Sequence, residues 1–506
     1  MLLRLLNQLA RFAPLLLVVS YISLSYGLFL FGPIRWDAPN ISYVTIFMSV
    51  CLIMLVLGYS VGMRSISIST RQIPWRPFFW VGAIASGVLL FPSAWIYMNK
   101  NPWDALHLAQ CQNVAYMEMI NGIGNDSTGY RYIYVLARAF LAPFTFSVLP
   151  LCILHWDEMR WKEYALLAVY LLSALCMSLL RGTDKEIADI VIMLLATLPI
   201  VTFRALISRD LPFSRLLGLL STIAVVIFAG AYMFMERKDA RLFRSIPAVA
   251  EFNKGHICSA GDWRCACDAE SSLKDASSLA AKLQQETCTT DCVGSAGQPV
   301  PNSAPPDVGA ADKADKATSD VAVSNQTVAD QVLRTEAKHG NFLAVMATGY
   351  LSQGYLGLSI AMTEDFSSTF GIGHSPLLLH FSKRVLGDDF EKRAYTNKIA
   401  DRWDAKAKWS TAMTWWANDV SFYGVPFIFA ALGLLTAFCW REATEQHRDA
   451  SAIVLVLCMF LFFYLPANNQ LFMTADSGVT VLFWIVLLGW TVISHRTNDS
   501  ARHVQK

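Results

Sequence analysis

Charge is scarce in this sequence of 506 residues. Asp, Glu, Lys and Arg together make up 16% of the chain, and the formal net charge is only +2. No basic run is dense enough to neutralise a phosphate backbone, so we expect no nucleic-acid partner. Hydrophobic residues make up 54% of the chain, and the mean hydropathy is +0.39. These values exclude an ordinary water-soluble enzyme.

Acidic pairs of the kind that hold a divalent metal are also lacking. The sequence has no Asp-x-Asp triplet, and the Asp-x-Glu triplets at 184–186, 268–270 and 389–391 are weak by chance expectation. Metal-dependent glycosyl or phosphoryl transfer usually uses such a pair. We therefore predict chemistry without a metal or cofactor, in which Arg and Lys stabilise the charge of a leaving group.

Long apolar runs, in contrast, recur along the chain. A run of about 20 residues is enough for a helix to cross roughly 30 Å of hydrocarbon. We count about ten such runs, at 13–31, 43–62, 78–97, 130–154, 164–180, 187–203, 216–235, 420–440, 451–467 and 477–494. The pattern predicts an all-α polytopic membrane protein, with transmembrane helices 1–7 in residues 1–235 and helices 8–10 plus a cytoplasmic tail in residues 420–506. No internal repeat is visible, which argues against a transporter built from two related halves.

Basic residues indicate the orientation of the chain. Arg and Lys concentrate in alternate short loops, such as the loop with Arg64, Arg71 and Arg76, whereas the 468–476 loop has none. The positive-inside rule then places both termini in the cytoplasm and residues 236–419 on the outer side of the membrane. Because nine further runs follow the first one, it is better interpreted as a retained signal anchor than as a cleaved signal peptide.

The cysteines divide between the spans and the outer segments. Five fall in the predicted spans, where they pack as small apolar residues, and six lie outside, mostly in a predicted periplasmic insert over 236–292. An even number on an oxidising side favours disulfides, with a zinc site as the alternative. Residues 293–338 are rich in Pro, Ala, Ser and Asp, which predicts a disordered tether.

Several cations are predicted at the outer end of the fourth to sixth spans. Arg131 and Arg138 lie seven residues apart and share one helix face. Arg138 would lie about 12 Å along the helix from its outer end. Placing a guanidinium at that depth in the membrane costs at least ~2.5 kcal/mol of insertion free energy, which favours an anion-binding cavity. Pairing with Asp189 or snorkelling is the alternative. The turn Arg181-Gly-Thr-Asp184-Lys185 precedes a helix whose positive end suits a phosphate. An ordinary solvated turn is the alternative there.

The outer stretch 339–419 is where we expect the chemistry. It is too polar and glycine-punctuated to span a bilayer, yet rich in aromatic residues, so we expect it to rest on the membrane face. Gln353 and Tyr355 suit a sugar platform or an interfacial anchor. His374 is the best-placed general base or a hydrogen-bonding loop residue. Asp419 is a second candidate base, a group that orients the acceptor, or an N-cap.

Two further patterns bear on substrate binding. Asn468 and Asn469 offer amides that suit sugar hydroxyls, or an ordinary turn. From Phe390 to Ala417 the periodicity predicts a helix along the membrane, with Lys398, Arg402 and Lys406 at steps of four. Its sharper interpretation is an electrostatic landing surface for an anionic lipid carrier.

Taken together, these motifs resemble the O-antigen polymerase, or oligosaccharide repeat-unit polymerase, family of bacterial inner membranes. The resemblance rests on the motifs Arg181-Gly-Thr-Asp-Lys185, Ser352-Gln-Gly-Tyr355-Leu-Gly-Leu-Ser359, Gly371-Ile-Gly-His374-Ser375, Trp416-Ala-Asn-Asp419-Val-Ser-Phe-Tyr-Gly424 and Pro466-Ala-Asn-Asn469-Gln470. It covers the spans and the outer stretch but leaves the 255–330 insert unexplained.

The resemblance implies a C-type glycosyltransferase-like fold and a polymerase of lipid-linked oligosaccharides. Such an enzyme transfers the growing glycan from polyprenyl pyrophosphate to an incoming lipid-linked repeat unit at the periplasmic face. It also implies membrane lipids, a chain-length regulator and a flippase as partners. The expected roles are pyrophosphate binding by Arg131, Arg138, Arg181 and Lys185, with Asp184 beside them, base catalysis by His374 or Asp419, and sugar binding by Gln353, Tyr355, Asn468 and Asn469.

Three rival functions remain open at this point. An O-antigen ligase shares the lipid donor and differs in the acceptor. A transporter or flippase would need charges that reach the midplane and the inner mouths, whereas those above cluster on the outer side. A structural or sensory protein would act through the cysteine-containing insert.

Overall fold

The computed structural model describes residues 10–64, 72–98, 100–109, 115, 129–208, 221, 342–403 and 408–504. These residues form helices and connecting turns, without a strand. The helices are α1 (Ala13–Phe31), α2 (Ile41–Arg64), α3 (Trp75–Met98), α4 (Asp104–Leu108), α5 (Gly129–Leu154), α6 (Trp161–Arg181), α7 (Lys185–Ser208), α8 (Phe342–Ala361), α9 (Pro376–Leu386), α10 (Asp388–Glu391), α11 (Tyr395–Lys398), α12 (Ala412–Glu445), α13 (Asp449–Tyr464) and α14 (Ala475–Val504). The all-α class is therefore as predicted.

Eight helices of the described chain are long and apolar enough to cross a membrane: α1, α2, α3, α5, α6, α7, α12 and α14. The apolar helix α13 has 16 residues, and the side chains from Asp449 to Phe462 are buried, so it forms the centre of the bundle. Nine of the predicted spans thus coincide with helices, and the polytopic architecture is confirmed. The remaining predicted span, 216–235, lies almost wholly outside the described residues, as do the insert 236–292 and the tether 293–338.

The closest helix pair is α2 and α12, and small residues make it possible. A Cβ atom on Gly58 would lie 2.0 Å from the carbonyl oxygen of Ala430, and one on Gly433 would lie 2.3 Å from that of Leu55. Only glycine allows backbones to approach so closely, and dispersion contacts between such helices stabilise a bundle in lipid. The α2–α12 pair therefore fixes α12, which carries part of the candidate site.

The bundle has two distinct ends. We call the end that carries residues 362–403 and 408–411 the loop end, and the opposite end, where Arg11 pairs with Glu445 at 3.6 Å, the tail end. At the tail end, the buried carboxylate of Asp449 accepts hydrogen bonds from Gln72 Nε2 (2.6 Å) and His155 Nε2 (3.0 Å). Burial lowers the pKa of His155, but Asp449 and Glu158 (3.2 Å from Nδ1) outweigh burial and raise it.

Residues 342–361 form a helix that the sequence pattern does not predict. Helix α8 packs on α1, where the hydroxyl groups of Tyr355 and Ser25 lie 2.8 Å apart and Trp36 Nε1 donates to Ser352 Oγ at 2.9 Å. Polar groups that make the segment look unsuited to a membrane interior are thus satisfied by partners within the protein. The segment joins the core at the loop end instead of resting on its surface.

The predicted helix from Phe390 to Ala417 is wrong. Among the described residues of this segment, two single turns, α10 and α11, precede α12, which begins at Ala412. The Thr411 side chain caps α12 by accepting a hydrogen bond from Thr414 N. Residues 404–407 lie outside the described chain. Trp403 and Trp416 are each 5% exposed, so these two side chains pack in the protein core and do not lie at the membrane interface. The periodicity therefore reflects burial in an irregular segment.

Candidate active site

A break in α12 organises the loop end. Ser421 has φ 60° and ψ 171°, angles that no helix interior adopts, so the helix is interrupted two residues after Asp419. The break frees backbone carbonyl groups, which in a membrane protein must find donors. The carbonyl oxygen of Asn418 accepts from Thr369 N (3.0 Å), and that of Asp419 accepts from Ser368 Oγ (3.4 Å). The 368–375 loop is thereby docked onto the break.

Asn418 joins two segments of this end. Its side chain is fully buried, with Nδ2 donating to Gly373 O at 2.8 Å and Oδ1 accepting from Tyr395 N at 2.8 Å. Burial raises the pKa of Tyr395 to about 12, so its phenol stays neutral. Both ends of the amide are used, and the residue therefore acts as a structural clamp.

The carboxylate of Asp419 is saturated by the same loop. Oδ1 accepts from Thr369 Oγ1 (2.5 Å), Gly371 N (2.9 Å) and Gly373 N (3.0 Å). Oδ2 accepts from His374 N (2.9 Å) and His374 Nδ1 (3.2 Å). Five donors on one carboxylate stabilise its charged form and occupy its lone pairs. Asp419 therefore orients His374, while its use as a base stays a prediction. Its predicted role as N-cap is wrong, because Thr411 caps α12.

His374 is held in one orientation by this arrangement. Because a carboxylate only accepts, the Nδ1 atom of His374 carries the proton, and the neutral ring keeps its lone pair on Nε2. The ring lies edge-on to Phe472, with centroids 5.0 Å apart, and its side chain is 29% exposed. Asn469 Nδ2 donates to the His374 carbonyl oxygen at 2.6 Å. An Asp–His pair with a free Nε2 has the geometry of a general base.

A large cavity lies at the same end of the bundle, and neither His374 nor Asp419 is among its lining residues. Its volume is about 780 Å³, and residues of α3, α5, α6, α7, α9, α13 and α14 line it. One part is charged, with Arg138, Arg181 and Lys185 among its lining residues. The remainder is largely apolar, with residues such as Leu90, Met193, Leu457 and Phe460 in the wall. Three of the four predicted cations thus meet in one amphipathic cavity.

Each of these cations faces a carboxylate. Arg138 Nε lies 2.6 Å from Asp476 Oδ2, and Arg181 NH1 lies 2.7 Å from Glu186 Oε1. Lys185 Nζ lies 3.1 Å from Asp189 Oδ2, whose other oxygen accepts from Tyr464 OH at 2.9 Å. Arg138 therefore pairs with Asp476, whereas Asp189, the predicted alternative, contacts Lys185 and Tyr464. These carboxylates balance the positive charge of the cavity lining.

The other predicted site residues lie elsewhere. Tyr355 is fully buried and Asn469 holds the His374 loop, so neither presents a surface to a sugar. Arg402 pairs with Glu364 beside the loop. Gln353 and Asn468 are partly exposed and do not line the cavity. Asp184 does not line it either, and its carbonyl oxygen accepts a hydrogen bond from Ala188 N at the start of α7. Helix α5 includes Arg131, but its side chain lies outside the described set.

His380 and Asp476 are site residues that the sequence reasoning missed. His380, on α9, lines the cavity directly, whereas His374 is linked to it through Phe472, whose neighbours Leu471 and Met473 are in the wall. Asp476, at the start of α14, was overlooked because it precedes an apolar run as an ordinary first-turn acid would. Only the fold brings it next to Arg138, 338 positions earlier in the chain.

Among the described residues, no group of three or more His, Cys, Asp or Glu side chains is placed to hold a metal ion. Metal independence itself stays a prediction. Comparison of the chain with protein-family models, with curated proteins and with solved structures finds no match. The chain is thus an all-α polytopic membrane protein whose candidate site is defined by its own residues.

Proposed function

We propose that this protein polymerises lipid-linked oligosaccharide repeat units of the O-antigen type, at the outer face of a bacterial inner membrane. The observation that carries the proposal is the amphipathic cavity lined by Arg138, Arg181 and Lys185, at the end of the bundle that also holds the Asp-oriented His374. A polyprenyl pyrophosphate has the same two-part character, with a charged head and an apolar tail. The cavity volume of about 780 Å³ suits the head and the first isoprene units.

The reaction follows from this arrangement. His374 Nε2 takes the proton of an acceptor hydroxyl, which attacks the anomeric carbon of the donor sugar. The new glycosidic bond forms as the bond from that carbon to the pyrophosphate oxygen breaks, and the pyrophosphate leaves with the electron pair. Arg138, Arg181 and Lys185 stabilise its charge. The imidazolium of His374, stabilised by Asp419, then releases its proton to solvent.

The cations of the cavity are already paired with carboxylates, and a pyrophosphate must compete with these ion pairs to bind. The pyrophosphate exchanges places with Asp476, Glu186 or Asp189 at the cations, so part of its binding energy offsets the loss of these ion pairs. Such exchange is compatible with turnover, because a head group held by unopposed cations would leave slowly. The carboxylates therefore favour release of the polyprenyl pyrophosphate product.

Reconstitution tests the proposal. Purified protein in liposomes receives lipid-linked repeat units, and the assay follows growth of the lipid-linked glycan and release of polyprenyl pyrophosphate. We expect Arg181→Ala to lower the rate about 10²- to 10³-fold, as loss of one stabilising donor does. The matched control is Lys392→Ala, because Lys392 forms an exposed surface pair with Asp389. Equal rates in the two variants would refute the role of the cavity.

Separate readouts distinguish the rival functions. A ligase leaves the lipid-linked glycan at its original length and attaches it to lipid A-core when that acceptor is added. A flippase moves the lipid-linked unit across the liposome membrane without any glycan growth. In a deletion strain, single-repeat glycoforms indicate a polymerase, whereas complete absence of attached O-antigen indicates a ligase.

The identity of the base is tested in the same assay. We expect His374→Gln to lose activity about 10²- to 10⁴-fold, the range of a general base. His380→Gln should retain most of the activity, because the ring contact described for His380 is with Phe381, at 6.0 Å between centroids, which offers no carboxylate to orient it for proton transfer. A larger loss of activity in His380→Gln than in His374→Gln would assign the base to the cavity-lining His380.

A further inference from the structure

Helix α9 has three different faces. At about 100° per residue, Leu378, Phe381 and Val385 fall on one stripe, and they are 44%, 44% and 84% exposed. A second stripe contains Leu379 (4% exposed) and Ser382 (7% exposed), which pack on the protein. Leu377 and His380, on the third side, line the cavity. The helix therefore covers the cavity with one side and presents an apolar stripe to its surroundings with another.

Cations and aromatic rings flank the exposed stripe. Arg384 lies over the ring of Phe381 at 5.9 Å, and Arg393 lies over that of Phe370, which is 75% exposed, at 6.0 Å. Lys383 is half exposed and lies 3.3 Å from Glu391. An apolar stripe bordered by Arg and Lys at the end of a bundle of membrane-spanning helices matches a phospholipid surface, with acyl chains at the stripe and phosphates at the cations.

We propose that α9 lies in the membrane interface at the loop end and binds anionic phospholipid through Leu378, Phe381, Val385 and Arg384. The inference replaces the predicted membrane-lying helix at 390–417, where Trp403, Trp415 and Trp416 are buried. It is independent of the proposed reaction, since it rests on the outward side of α9 alone. Its consequence is that the cover of the cavity is anchored in the lipid from which a lipid-linked substrate arrives.

Photocrosslinking of the full chain in nanodiscs tests this surface. A benzophenone amino acid replaces Val385 in one variant and Phe381 in another, and Lys392, whose side chain is 73% exposed, serves as the matched control position. We expect phosphatidylglycerol adducts at 385 and 381 at several times the yield at 392. Substituting Val385 leaves the packing unchanged because the side chain is 84% exposed, so a folding defect at 381 would not leave the test undecided.

Lipid composition provides the second arm of the experiment. In nanodiscs of phosphatidylcholine alone, the adduct yield at 385 should fall, and Arg384→Glu should lower it in phosphatidylglycerol as well. An equal yield at 385 and 392, or crosslinks at 385 to a second copy of the chain or to another protein in place of lipid, would overturn the proposal. A yield unaffected by lipid charge and by Arg384→Glu would overturn the assignment of an anionic headgroup.

Discussion

Substitution of Asp419 by Asn is the sharpest test of how the loop end is built. The carboxylate accepts five hydrogen bonds from residues 369–374, while its side chain is only 10% exposed. An amide can keep the three bonds at Oδ1, but its NH₂ group would face the two donors of His374. The variant therefore loses two charge-assisted bonds and retains the shape of the side chain.

The magnitude follows from the geometry. A hydrogen bond to a charged group contributes about 1.5–3 kcal/mol, so two of them amount to about 3–6 kcal/mol of local stability. Since about 1.4 kcal/mol changes an equilibrium tenfold, the closed loop should open roughly 10²- to 10⁴-fold more often. The bundle should remain folded, because the helix cores do not depend on this carboxylate.

Hydrogen exchange measures this opening directly. The amides of Gly371, Gly373 and His374 donate to Asp419 in the wild type and should exchange about 10²- to 10⁴-fold faster in Asp419→Asn, by the same free energy. The amides of α13 should be unchanged, and Asp389→Asn, at a 95% exposed side chain, is the matched control. Wild-type protection of residues 371–374 in a folded Asp419→Asn protein would refute the reasoning.

Three further predictions concern the loop, the tail end and metal dependence. Gly373→Ala should disrupt the loop and abolish activity, because the new Cβ would lie 2.1 Å from Thr369 Oγ1, whereas Gly478→Ala has open space and should be silent in the same rate and exchange assays. His155 has a raised pKa in the folded state, so its contribution to stability is present below about pH 6.5 and is lost as pH rises through the folded value. We therefore expect the midpoint of thermal unfolding to fall over that window in the wild type and to stay flat in His155→Gln; parallel curves for the two proteins would contradict this. EDTA should leave glycan growth intact, and loss restored by a divalent metal would show that the reaction needs a metal.

The spans and the cation cluster are the parts that the sequence predicts well. Apolar runs such as 187–203 need only length and composition to be recognised, and both are local properties. The sequence predicts one location for Arg138, Arg181 and Lys185, because each lies near the outer end of a predicted span and these ends lie on the same side of the membrane. Of the carboxylates that balance them, Asp476 is the one that sequence reasoning misses, since it comes from a distant helix.

The irregular loop end is where sequence reasoning fails. The periodicity at 390–417 predicts a surface helix, but Trp403 and Trp416 are buried and the chain forms only single turns. Likewise Tyr355 matches an exposed sugar platform by type, and the fold buries it against Ser25. Packing between segments that are far apart in sequence decides these cases, and no local pattern encodes it.

By itself, then, the sequence determined that this is an all-α membrane protein with cations grouped at the end of its fourth to sixth spans, because hydrophobic length and charge cost in lipid are local rules. The contacts between the two candidate bases, His374 and Asp419, come from the tertiary structure. The break at Ser421 directs the Asp419 carboxylate into the loop, where five donors hold it and it orients His374. This arrangement depends on hydrogen bonds between residues some 45 to 50 positions apart, which only the folded chain brings within reach.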